Sequence, residues 1–433
     1  MRKAKHIRLS MLMVVIMLML TLMAGAQAQD DTTNIIVLSH QVHKDAVMGT
    51  GSAGVEDISP AMAEATGVTI TWETVPWPDM QERVLRELAL SDSNISAMFI
   101  ISQWLSPSVQ SQLMPLNDFL ESAPIENFDQ MPAGLMSFTT GTDGNIYAIP
   151  FAAYGPVLFY NTQILGEHGY TEPPTTFEQM FEMMKVVAGR RADGARVYAI
   201  RLSPDTLIDW ARAYGGDAIT TDFQLKITEE PMIRALNDVK ELYDMGAIPQ
   251  DFMNLVADDW LTLEQSGQVA FSMRGPSYYN SLNDPTISQA AGHIGVTIAP
   301  ASETVDYDQI PGNVSFWSMS IPNNSANPEA AWSVIQYLSS DQAALAMAIN
   351  GQSPVKPSVY DDPAFAEAAG AWLEPARASL AVARPDWPAF DNLARVQDIF
   401  YEQVVLAVTG QKTPEQAMAD AAELIEPLLP AAR

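Results

Sequence analysis

The sequence predicts an α/β protein built as two lobes, and three observations carry that reading. Strand-like and helix-like segments alternate along the whole chain, the pattern of helices laid on a sheet. About 400 residues follow the N-terminal segment described below, enough for two or three domains at about 100–200 residues each. Asp143-Gly-Asn-Ile-Tyr-Ala-Ile-Pro150, followed by Gly155-Pro-Val-Leu-Phe-Tyr-Asn161, reads as a Gly turn, a short strand, a Pro break and a second apolar strand. That is how a chain leaves one lobe and enters another.

The elements follow in order. Asn34–Ser39 is an apolar run and reads as a buried strand. Glu56–Ala65 reads as a helix ending at Gly67, and Val68–Val75, with alternating β-branched residues, as a second strand. Asp79–Leu90 is an amphipathic helix and Ala97–Ile101 a third strand. Past the crossover, Thr175–Ala188 is a helix capped by Thr175 or Thr176 with Glu178 near its start. Arg196–Leu202 is strand-like; Asp205–Tyr214 is a helix stopped by Gly215-Gly216; Pro231–Met245 is a helix with Pro in its first turn and Gly246 after it. Asp258 is expected to cap a helix over the following residues. Gln268–Met273, His293–Ile298 and Val314–Ile321 are strands, and Pro328–Leu338 is a helix begun by Asn327. The C-terminal part is helical over Ala364–Leu373, Asn392–Val408 and Pro414–Leu428.

Composition narrows the class. Arg2, Lys3, Lys5 and Arg8 precede an apolar run, Met11–Met23, and small-residue sites around Ala24–Ala28. Residues 1–28 therefore read as a secretory signal peptide, since the run is shorter than the ~20 residues that span a bilayer. The chain has no Cys, hence neither disulfides nor a lipidation site, and the mature protein is expected to be periplasmic or extracellular and not a lipoprotein. Loss of the four basic leader residues takes the formal charge from −29 to −33. Such a field repels nucleic acid and anionic lipid. It also opposes an anionic ligand unless local Arg residues reverse it.

The crossover is joined by further motifs: Glu172-Pro-Pro-Thr-Thr-Phe-Glu178, Gly267-Gln-Val-Ala-Phe-Ser-Met-Arg-Gly-Pro276, Ile294-Gly-Val-Thr-Ile-Ala-Pro300, Asn327-Pro-Glu-Ala-Ala-Trp332, Ser353–Asp362 and Gly410–Ala417. In this order and spacing the set resembles the bacterial extracellular solute-binding proteins of ABC importers, the sugar-type, maltose-binding-protein-like family. The resemblance covers nearly the whole mature chain. It implies a type II periplasmic-binding-protein-like fold, each lobe a central mixed sheet flanked by helices. Residues 30–150 with 299–350 would form the first lobe and 151–298 with 351–433 the second. Hinges are implied near Pro150–Tyr154, Ile298–Ala301 and Asn350–Ser353. The implied function is capture of a small solute, in the first place a carbohydrate, by hinge closure, and its delivery to a membrane permease. The protein would be a monomer without cofactor, metal or catalytic activity.

Sugar sites combine aromatic faces with polar groups for hydroxyls, and ligands of α/β sheets bind where strands end. On that ground His40, Gln41 and His43 after the first strand, Trp104 after the third, Tyr154 after the crossover, and Tyr278 and Tyr279 after Gly275-Pro276 are candidates to contact ligand. Trp77, Trp210, Trp317 and Trp387 join them. Core packing is the competing role for each ring, and it is favoured outright for Trp72 and Trp332. His40-x-x-His43 lacks the third ligand that a zinc site needs. Gly49-Thr-Gly-Ser-Ala-Gly54 matches a dinucleotide fingerprint, but it does not join a strand directly to a helix. It reads as a loop. Two other functions stand beside the sugar receptor: a receptor of the same fold for a polyamine or another polar solute, and a secreted glycan hydrolase, for which no carboxylate pair is singled out.

Overall fold

The computed structural model describes residues 32–51, 55–191, 194–203, 206–307 and 312–431. The signal-like segment 1–28 and Ser52–Gly54 of the Gly-rich run lie outside the described residues. The first sheet is made from β1 (Thr33–Ser39), β2 (Val68–Thr74), β3 (Ile95–Ile101), β4 (Ile149–Tyr154) and β11 (Ser315–Ser320), in the order β2-β1-β3-β11-β4. β1 pairs in parallel with β2 and β3, and β11 runs antiparallel between β3 and β4. β3 is buried at every residue, as a central strand covered on both faces must be.

The second sheet contains β5 (Val157–Asn161), β6 (Gly189–Arg190), β7 (Arg196–Ile200), β8 (Val269–Arg274) and β9 (Ile294–Thr297), in the order β6-β7-β8-β5-β9. β7 and β8 are parallel; β5 is antiparallel to both β8 and β9. Two mixed sheets, each with its own helices, form the two-lobe α/β fold expected from the sequence. A two-residue parallel ribbon of β10 (Gly312–Asn313) and β12 (Ala383–Arg384) stands apart from both sheets.

The crossover falls within the expected Asp143–Asn161 stretch but past the expected 150/151 lobe boundary, since Phe151–Tyr154 still belong to the first sheet. Pro150 does not end a strand but is the second residue of β4. β4 is the edge strand of its sheet, the position where a residue without an N–H is tolerated. The chain then passes from one sheet to the other at Gly155-Pro156. A Cβ on Gly155 would stand 2.3 Å from Ser379 Oγ, so a larger residue here would have to displace that side chain.

Most helices match the spacing that predicts them; those starting at Phe177, Pro328 and Pro414 begin within a residue or two of expectation. Thr176 accepts from Gln179 N at 3.2 Å, which fixes the helix start between the two capping residues considered. Asp258 is not a cap. The helix begins at Ala257, and Asp259 reaches back to Val256 N at 3.1 Å. Gly49, with φ +61°, closes the helix Gln41–Met48; it ends a helix, whereas a dinucleotide loop would open one.

The helices between Pro357 and Ala381 pack Tyr360, Phe365, Trp372 and Leu380 into the core that is continuous with the first sheet. The division of 351–433 wholly to the second lobe does not anticipate this. The second core begins to collect this part of the chain only at Trp387, Phe390 and Leu393.

Candidate functional site

The first-lobe wall is aromatic. Trp104 ends the 3-10 turn directly after β3, Trp77 opens the helix Trp77–Leu88 just past β2, and Trp317 lies within β11. The topology brings these three to one corner. Trp77 and Trp104 stack with centroids 5.7 Å apart, and Trp317 meets both edge-on at 5.8 Å. Trp104 and Trp317 are 8% and 5% exposed, while Trp77 is 48% exposed. Trp77 is thus an open aromatic face backed by two rigid rings.

The histidines separate into two roles. His40 caps the helix Gln41–Met48, its ring accepting from Val42 N at 3.4 Å, and it stacks on Trp317 at 6.4 Å. Burial lowers its pKa, partly offset by Asp45, so the ring is neutral at neutral pH. His43 is fully buried. Its ring lies flat on Phe99 at 4.2 Å, and its Nδ1 shares a hydrogen bond with Ser39 Oγ at 3.1 Å. His43 is therefore a support beneath Trp317 and not a ligand contact. Gln41 is exposed and bonded to Asp45 at 2.8 Å on the same helix.

The second-lobe wall forms around the ends of β7 and β8. The Arg274 guanidinium lies 3.7 Å from the Tyr278 ring centroid and is ion-paired with buried Glu264. Tyr154, last residue of β4, packs against Gly275, where an added Cβ would stand 3.5 Å from its own Cβ. Burial, and then Tyr278, raise the Tyr154 pKa; the phenol stays protonated. Tyr279 is partly buried, with its ring 6.3 Å from Phe159.

Besides His43, two tryptophan candidates fall out of the cleft. Trp210 is fully buried in the second core, edge-on to Phe177 at 5.2 Å. Trp387 is also fully buried, edge-on to Phe400 at 5.5 Å. Helical amphipathicity for Trp210, and a Pro-flanked loop folding inward for Trp387, place both rings in packing that leaves no face for a solute.

An opening of about 160 Å³ is lined by residues of both lobes. Leu105, directly after Trp104, belongs to it, as do Gln110, Ser137, Thr140, Thr142, Thr221 and the rings of Phe138 and Phe223. Sequence reasoning missed this set. Phe223 has φ +64°, a left-handed conformation that bulky residues rarely adopt and that concentrates at binding sites. The turn holds it there: Phe223 N bonds to Thr220 O at 2.9 Å, and Gln224 N to Thr220 Oγ1 at 3.0 Å. A larger groove of about 530 Å³ lies elsewhere, along Gln163–His168 and Val187–Arg191 at the outer edge of the second lobe. Its lining comes from the second lobe alone, so it is not an interlobe site.

The family model for bacterial extracellular solute-binding proteins matches residues 59–371. The chain belongs to that family. Among relatives, a probable ABC transporter-binding protein of Deinococcus radiodurans is 25% identical over 378 residues, covering 83% of this chain and 86% of its own length. An erythritol/L-threitol-binding protein of Mycolicibacterium smegmatis is 22% identical, covering 69% of this chain and 66% of its own length. The maltose-bound MalE3 structure of T. maritima superposes with a TM-score of 0.74 at 21% identity, covering 92% of this chain and 100% of that one. That likeness establishes the two-lobe fold of this solute-binding protein; the identity of its ligand is a separate question.

Proposed function

We propose that this solute-binding protein is an exported receptor of an ABC importer that captures a carbohydrate or polyol between its lobes and hands it to a membrane permease. The observation that carries the reading is the open Trp77 face, stiffened by Trp104 and Trp317, on the lobe that also supplies Leu105, the residue after Trp104, to a hydroxyl-rich opening lined from both lobes. Flat rings suit the C–H faces of sugars; Ser, Thr and Gln groups suit their hydroxyls. The described residues lining the opening include no Asp or Glu, which argues against a polyamine. Relatives and structural neighbours named for polyols and maltose support the same class. The relatives are named as binding proteins and not as hydrolases. Export by a cleaved leader, a monomeric state and lobe closure about the three crossovers belong to this proposal.

A thermal-shift screen of the purified protein against mono- and oligosaccharides, polyols and polyamines tests it. A ligand stabilises by RT ln(1 + [L]/Kd), about 2.7 kcal/mol at a hundredfold excess over Kd. Stabilisation by a sugar or polyol, with no product formed, supports the receptor. Stabilisation by polyamines alone overturns the ligand class, and sugar release from a polymer overturns the receptor.

A further inference from the structure

β7 and β8 run parallel and end side by side, with Ile200 opposite Phe271. Arg201 is the first residue past β7, and its N–H still bonds to Phe271 O at 2.9 Å. Arg274 ends β8. The two guanidiniums are in different situations. Arg274 is ion-paired with Glu264, whose carboxylate also accepts from Ser272 Oγ at 2.5 Å. Among the described residues Arg201 has no such partner. Among the described residues no carboxylate lies within ion-pair distance of it, its Nε is buried with no hydrogen-bond partner, and Nη1 reaches only Met273 O at 3.4 Å. Protein atoms enclose most of the side chain, yet part of its surface remains open to solvent. Arg274, Glu264, Tyr278 and Asp209 are the charged or titratable groups whose fields reach it.

An enclosed guanidinium without a carboxylate is costly to maintain. Glu264 is paired with Arg274, and Asp209 acts on Arg201 without reaching ion-pair distance, so among the described residues the Arg201 guanidinium has no direct counter-charge. It lies where open α/β sheets take their ligands, at the ends of parallel strands. We propose that Arg201 receives the carboxylate of an acidic hydroxylated solute, a sugar acid of the aldonate or uronate type, while the Tyr278 ring held by Arg274 packs against the solute's carbon skeleton. This rests on the receptor reading above and narrows its ligand class. Arg suits the task because its planar fork meets a carboxylate with two parallel hydrogen bonds.

The test is calorimetric titration of the purified protein with D-gluconate and D-galacturonate, each beside its neutral counterpart, D-glucitol or D-galactose, and with D-glucose 6-phosphate. The expected result is binding of at least one acid about tenfold or more tighter than its counterpart, as one charge-assisted pair supplies, with affinity falling as salt is added. Arg201→Gln should abolish that preference and Arg201→Lys should retain part of it. Because the acid-to-neutral ratio is read within each variant, a loss of stability in either does not mask the result. Neutral compounds binding as well as or better than the acids would overturn this inference and leave the receptor standing. Binding of the phosphate ester in place of both acids would overturn the carboxylate assignment. Binding by none of the five probes would overturn it too, and the wider screen above then decides whether the receptor reading survives. An acid preference unchanged in Arg201→Gln would remove Arg201 from the account.

Discussion

The Asp391 carboxylate accepts a hydrogen bond from the backbone N–H of Ser108 at 3.2 Å, and the two residues belong to opposite lobes. Ser108 lies in the short helix Pro107–Gln110, which follows the Trp104 turn; Asp391 follows Phe390, which packs in the second core. The serine hydroxyls of Ser108 and Ser106 also hold the Asp391 carboxyl below the usual carboxylate range. The bond bridges the lobes next to the interlobe opening, so it stabilises the approach of one wall to the other.

Asp391→Ala should therefore weaken ligand binding severalfold by favouring a more open form, about the loss of one charge-assisted hydrogen bond at a partly exposed site. Small-angle scattering should show a larger radius of gyration in the unliganded variant. Unchanged scattering together with unchanged affinity would show that the bond is incidental to closure.

Trp77 and Trp104 stack on one another but differ in exposure, and their substitutions should differ in kind. Trp77→Ala should lower affinity about tenfold or more, as loss of a stacking face does, with little change in unfolding free energy. Trp104→Ala should cost about 3–5 kcal/mol of stability as well, the range for emptying a buried aromatic site. Chemical denaturation alongside titration separates the two; equal stability losses would mean that Trp77 is packed more tightly than its 48% exposure indicates.

Trp210→Ala and Trp387→Ala should each destabilise the second lobe by about 3–5 kcal/mol and leave the affinity of the folded fraction unchanged, because both rings are fully buried there. A variant with native stability and lost binding would return that ring to the cleft.

Asp238 gives a pH signature. Burial pushes its carboxyl up to about 6, although Tyr214 donates a hydrogen bond to it and Arg234, stacked on Tyr214, pulls it down. A raised folded-state value means that the native protein holds this proton more tightly than the unfolded chain does. The resulting stabilisation is fully present below the ordinary carboxylate value and is lost as pH rises through about 6. Relative to Asp238→Asn, the wild type should gain thermal stability as pH is lowered from about 7.5 to about 5, where the linkage acts. Calorimetric scans of both proteins across that range check the sign, and a difference that does not change with pH would contradict the raised value.

Much of the fold is legible in the sequence because strand and helix periods are local. Val68–Thr74 alternates and forms β2, and Asn327-Pro328 starts a helix at the residue where its chemistry says it should. The helix Gln41–Met48 escapes that reading: it follows β1 with only His40 between and carries no strong apolar period. The site divides the same way. Strand-end logic places Trp104 just past β3 and Tyr278 just past β8, where the structure has them, since those positions are set by neighbours in sequence. Trp210 and Trp387, candidates added on other grounds, are instead buried in packing that depends on distant Phe177 and Phe400. Strand-end logic misses Phe223, because nothing in a single sequence announces a bulky residue with positive φ, and Arg201, whose significance is the absence of a partner that only the packing of β7 against β8 reveals.

The central claim is that a carbohydrate-class solute binds between the lobes against Trp77. Isothermal titration of wild type and Trp77→Ala with the sugar or polyol that gives the largest thermal shift tests it most directly. The account predicts a saturable one-site isotherm in the wild type and an affinity about tenfold or more weaker in the variant, the loss expected for a stacking aromatic face. Identical affinities in the two proteins, or no saturable binding of any sugar or polyol by the wild type, would contradict it.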